Sequence, residues 1–219
     1  MNKISRLWAL VITISILALG AVVANSNSPS SAEGGCAGKA YVTDIKGTIV
    51  SVINTSTNTL STTIPVGNSP LGVAITPDGT KAYVTNYLDD TVSVINTATG
   101  AVSATIGVGD APVGVAITPN GAFAYVTNEG DGTVSVINTA TNAVSAPISV
   151  GTDPAGVAIT PDGAFAYVAN GGDGTVSVIN TATNAVITTI PLAVGSGPQG
   201  VAICPGTVAP PAVVLKFTG

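Results

Sequence analysis

The chain has 219 residues, 46% of them hydrophobic and only 8% charged, with a formal net charge of -5 and no histidine. Such a chain can bury a sizeable core, and it keeps its surface polar through Ser, Thr and Asn rather than through ions. Six basic residues against 11 acidic ones leave no basic surface of the kind that nucleic-acid binding requires, and that class is excluded.

At the N-terminus, Lys3 and Arg6 precede an apolar run from Leu7 to Ala24 that ends in the small residues Val22, Val23 and Ala24. This is the layout of a secretory signal peptide over residues 1–24. The run, about 18 residues, is also long enough for an uncleaved membrane anchor, so both readings stand. Either places the protein outside the cytoplasm, secreted or at the cell surface, and membrane contact is expected only through an uncleaved N-terminal segment. Residues 25–35 form a polar linker.

From residue 36 to 205 one unit repeats. AYVTN occurs at 82–86 and 124–128, with AYVTD at 40–44 and AYVAN at 166–170, so that Tyr41, Tyr83, Tyr125 and Tyr167 stand 42 residues apart. A fixed period of this size marks an architecture of stacked units. Each period holds four segments of strand chemistry separated by turn signals; in the second copy they are 72–76, 81–86, 91–96 and 101–106, here named A to D. Pro65, Pro147 and Pro191 fall in segment D, and Pro70, Pro112, Pro154 and Pro198 precede segment A. Proline is confined to sheet edges and strand ends, so A and D are the edges of a four-stranded antiparallel meander. Meanders repeated radially make an all-β propeller.

The AYVTN core, the Gly-Val-Ala-Ile-Thr-Pro-Asp-Gly before it and the Thr-Val-Ser-Val-Ile-Asn-Thr after it resemble the YVTN β-propeller repeat of exported and surface-layer proteins. The likeness runs from about residue 39 to 205. It implies a β-propeller and little about chemistry.

Counting from the ends gives B, C and D in the first copy, three full sets, and a lone final A at 200–204. That is sixteen strands, or four blades, closed when the last A completes the first blade. Cys204 replaces the threonine at position 76 of the repeat and Cys36 the aspartate at position 78, so a Cys36–Cys204 disulfide is expected to seal the seam. The same arithmetic fits a monomer of four blades or a homodimer in which two chains make an eight-bladed ring. Residues 206–219 form a tail without an assigned role.

B–C turns and D–A loops share one face of a propeller. That face receives Asp44, Asp89, Asp90, Asp110, Glu129, Asp131, Asp153 and Asp173 against a single base, Lys46. It is the candidate surface for a hard cation such as Ca²⁺ or for a basic protein or cell-surface partner. Asp78 and Asp162 fall on the other face. No catalytic residue is assigned: histidine is absent, the cysteines are expected to pair, and Ser51, Ser93, Ser135 and Ser177 recur as strand residues. Asn86, Asn128 and Asn170, with Asp44 of the first copy as the fourth of the set, are expected to bond backbone at the turn, as Asx residues do. The expected function is a non-catalytic binding or cell-surface scaffold module without a cofactor; the alternative is a carboxylate-dependent, metal-binding hydrolase.

Overall fold

The computed structural model describes residues 36–204. The N-terminal signal or anchor, the linker and the C-terminal tail lie outside the described residues. The first sheet contains β1 (Lys39–Thr43), β2 (Ile49–Asn54) and β3 (Thr59–Pro65). The second holds β4 (Pro70–Ile75), β5 (Lys81–Asn86), β6 (Thr91–Asn96) and β7 (Ala101–Gly107). In the third are β8 (Pro112–Ile117), β9 (Phe123–Asn128), β10 (Thr133–Asn138) and β11 (Ile148–Ser149), and in the fourth β12 (Pro154–Ile159), β13 (Phe165–Asn170), β14 (Thr175–Asn180) and β15 (Ala185–Pro191). Every sheet is an antiparallel meander in chain order, and the three four-stranded ones have the A and D strands at their edges as the prolines require.

The sheets stack face to face, and their junctions carry the core. Tyr83, Val92, Val94 and Ile106 of the second sheet pack on Ala124, Val126 and Ile137 of the third. The next junction repeats the set with Tyr125, Val134, Val136 and Ile148 against Ala166, Val168 and Ile179. Val50, Val52 and Ile64 meet Ala82, Val84 and Ile95 at the first. Burying one valine or isoleucine contributes about 1.5–3 kcal/mol, so these apolar junctions, more than the few hydrogen bonds across them, hold the row together.

The inner strands lie closer still. In β4 the ladder to β5 slips between Pro70 and Val73, and β8 and β12 slip at the same place. A bulge of this kind frees one N–H from the ladder. At each bulge sits a glycine pressed against the next sheet: a Cβ on Gly72 would lie 2.4 Å from Val113 O, and one on Gly114 2.4 Å from Ala155 O. Only glycine permits that approach.

Two expectations fail. Among the described residues the final A segment, 200–204, forms no strand and β1 remains the edge of a three-stranded sheet, so there are fifteen strands rather than sixteen and no sheet that closes a ring. Cys36 and Cys204 are both free, so the expected disulfide is not formed within the chain. Residues 200–204 have no ladder to hold them extended, since the described pairing of β1 is with β2 alone. A third difference is local. Strand D of the third sheet shrinks to two residues, because Pro147 stands where Thr105 pairs with Ser93 in the sheet before it and cannot donate to the ladder.

Candidate functional site

The repeated motif is consumed by the frame. Thr85 Oγ1 accepts the bulged Gly72 N–H at 2.8 Å and donates to Val113 O of the next sheet at 2.8 Å. Thr127 does the same between Gly114 N and Ala155 O at 2.8 and 2.6 Å, and Thr43 donates to Leu71 O at 2.7 Å. The fourth copy reads AYVAN, and with Ala169 in place of the hydroxyl, Gly156 N donates directly to Gln199 O at 2.7 Å. Sequence reasoning missed this relay.

Asn86, Asn128 and Asn170 do not close their own turns as expected. Each is fully buried and reaches across its sheet: Asn86 Nδ2 donates to Thr91 Oγ1 at 3.0 Å and Ser93 Oγ at 2.9 Å, and its Oδ1 accepts from Gly67 N at 3.1 Å. Asn128 and Asn170 hold Ser135 and Ser177 in the same way, both at 2.9 Å. In the first copy Asp44 Oδ1 turns back to accept from Lys46 N at 3.1 Å. Ser93, Ser135 and Ser177 are thus buried acceptors of asparagine.

The tyrosines fill the junctions. Tyr125 donates to Asn184 Oδ1 at 2.7 Å in the C–D turn of the following sheet, and burial pushes its phenol up to about 12. Burial, with Asp78 nearby, also raises Tyr83, and burial with Cys36 raises Tyr41. The equivalent pair Tyr83 and Asn142, facing the shortened β11, leaves both oxygens buried without a hydrogen bond. Tyr87, outside the motif, is fully buried as well.

What the frame leaves to chemistry is the turn face. Asp89, Asp131 and Asp173 each reach from a B–C turn to the loop entering the same sheet. Asp89 accepts from Asn68 N and Nδ2, both at 2.7 Å; Asp131 accepts from Asp110 N at 2.7 Å; Asp173 accepts from Thr152 N at 2.7 Å and Oγ1 at 2.6 Å. Asp90 accepts from Ala111 N at 2.9 Å. These clamps bring the B–C turns and D–A loops to one face, as the sequence implied. The Thr152 hydroxyl, then its N–H, hold the exposed Asp173 carboxyl below the usual range. On the opposite face Asp78 and Asp162 are lowered first by the hydroxyls of Thr76 and Thr160, at 2.6 Å each.

Between the third and fourth sheets the turn face opens into a notch of about 400 Å³. Glu129, Asp131, Asp153 and Asp173 line it, with Thr152 and glycines between them and no lysine or arginine. Asp153 sits there in the left-handed region at φ 49°. The blades diverge most at this level: Ile45, Tyr87, Glu129 and Gly171 occupy one repeat position, and that variation was the signal in the sequence. Asp44, Asp89, Asp90 and Asp110 share the face but lie outside the notch. Among the described residues no three His, Cys, Asp or Glu side chains are grouped as a metal site.

Comparison with protein-family models finds no match, and comparison with curated proteins finds none either. Among solved structures, the chain is similar to the hydrazine synthase of Kuenenia stuttgartiensis, with a TM-score of 0.69 and 24% identity over 78% of this chain and 53% of that one. It is similar also to the Swd1 β-propeller domain of Myceliophteria thermophila, with a TM-score of 0.66 and 10% identity over 78% of this chain and 57% of that one. The chain spans somewhat over half the length of the structures it matches. At these identities the likeness shows the fold alone: the stacked meanders are blades of a β-propeller.

Proposed function

We propose that the chain is an exported propeller of the YVTN type that works as a non-catalytic binding or scaffold module, holding a basic protein or cell-surface partner on its acidic turn face. The observation that carries this reading is the notch itself, with four carboxylates and no opposing base. One-signed charge at a concave surface attracts a cationic partner and speeds its encounter, with an effect that salt weakens. Three of the recurrent serines serve as hydrogen-bond acceptors of buried asparagines, which fits a scaffold better than a nucleophile. An uncleaved or cleaved N-terminal segment would deliver the module to the cell exterior.

The test is fluorescence anisotropy with a labelled lysine-rich peptide at several salt concentrations. Binding is expected at low salt, weakening as salt rises, and weakened again by Glu129→Gln and Asp153→Asn, two of the acids that line the notch. Affinity indifferent to both substitutions, or no binding at low salt, contradicts the proposal.

A further inference from the structure

The two ends of the blade row expose unlike halves of one junction. Inside the row, Ile64, Ile106 and Ile148 are covered by the following sheet and retain exposures of 3, 6 and 7%. The same position in the last sheet is Ile190, 42% exposed, beside half-buried Tyr167 and Val176. At the other end Val42 is 44% exposed, whereas its counterparts Val84, Val126 and Val168 are fully buried. Tyrosine, valine and isoleucine on the last sheet match alanine, valine and isoleucine on the first as they do at all three internal junctions.

Backbone and side chains repeat the complementarity. Gln199 O accepts from Gly156 N at 2.7 Å, which lays the chain at 199 against β12 where a further inner strand would run, yet 200–204 pair with no sheet. β1 lacks the inner neighbour that β5, β9 and β13 each have. In the complete blades, the two residues flanking the A–B turn touch through their side chains: Thr76 with Asp78 at 2.6 Å, Thr118 with Asn120 at 2.7 Å, Thr160 with Asp162 at 2.6 Å. Repeat alignment puts Cys204 at the first of these positions and Cys36 at the second.

Within one chain the inner strands pack in the row β1, β4, β8, β12. The four sheets match 57% of a solved propeller domain, so further blades are needed to complete a ring of that kind. We propose that a second copy of this chain is the occupant of both ends. The last sheet of each copy packs on the first sheet of the other, residues 200–204 complete that sheet, and Cys36 bonds to the partner subunit's Cys204, giving a two-fold ring of eight blades. The contact is head-to-tail, and such contacts close only when the rotation fits. In the covalent step an external disulfide such as oxidised glutathione takes two electrons and two protons from the two thiols. It leaves as two thiols, and one S–S bond joins the chains.

The full-length protein, incubated with oxidised glutathione, is expected to run on a non-reducing gel at twice the 21.3 kDa chain mass and to yield a Cys36–Cys204 linked peptide. Cys36→Ser and Cys204→Ser, each alone, are expected to lose the linked dimer, and an equal mixture of the two is expected to restore it. Under reducing conditions Ile190→Asp, an exposed position whose change spares the blade, is expected to abolish dimerisation seen by light scattering while leaving the circular dichroism unchanged. A self-linked monomer, an open polymer, a mixture that stays unlinked, or a reduced dimer indifferent to Ile190→Asp overturns the proposal.

Discussion

At the scale of single residues, the five-letter motif is a set of fasteners. Thr85 links two backbones that nothing else satisfies, so Thr85→Val should strand the Gly72 N–H and the Val113 carbonyl in a buried place. A loss of about 1–3 kcal/mol is expected, read from the midpoint of urea unfolding. Ala169 shows the one way around it, a direct bond from glycine to the next carbonyl, which the closely packed interior of the row does not use. The tyrosines set an alkaline limit. Tyr125 has a folded value raised to about 12, so its contribution is complete below the ordinary phenol range near 10 and is lost as pH climbs towards 12. Thermal unfolding should therefore fall in temperature above about pH 10, and Tyr125→Phe should flatten that fall. The aspartates behave in the opposite sense: Asp78, Asp162 and Asp173 are lowered, so what they add is present above the usual carboxylate range and lost as pH falls below it. The sequence displayed which residues recur; it could not display their partners, because Thr85 and Val113 meet only once the bulge and the neighbouring sheet exist.

At the scale of elements, proline placement told edges from centres, and every full sheet obeys it. Its stronger consequence, the shortening of β11, needed the ladder, since Pro65 and Pro191 end their strands harmlessly while Pro147 falls inside one. Pro147→Thr should lengthen β11 and bring Asn142 towards Tyr83, adding about 0.5–1.5 kcal/mol, measurable by urea unfolding and by slower amide exchange in β10. Gly114→Ala tests the inner row. Its Cβ would meet Ala155 O at 2.4 Å, and the resulting shift of β8 against β12 should cost about 1–3 kcal/mol. The acidic face was legible because turn positions follow from strand order. The notch was not, since it depends on how far the third and fourth sheets part at their rims.

At the scale of the whole molecule, the 42-residue period specified a propeller, and the small side chains at the junctions pointed to narrow wedges. Composition alone did not decide between a ring of four blades and half a ring of eight. In the structure Val42 and Ile190 stay uncovered at the two ends of the row, the observation on which the proposed half ring of eight rests. Burying those faces repeats a junction the chain already makes three times. Small-angle X-ray scattering from the oxidised protein tests this most directly. The curve expected is that of a closed disc with a central hole and twice the 21.3 kDa chain mass; a curve fitted by a single open arc of one chain would contradict it.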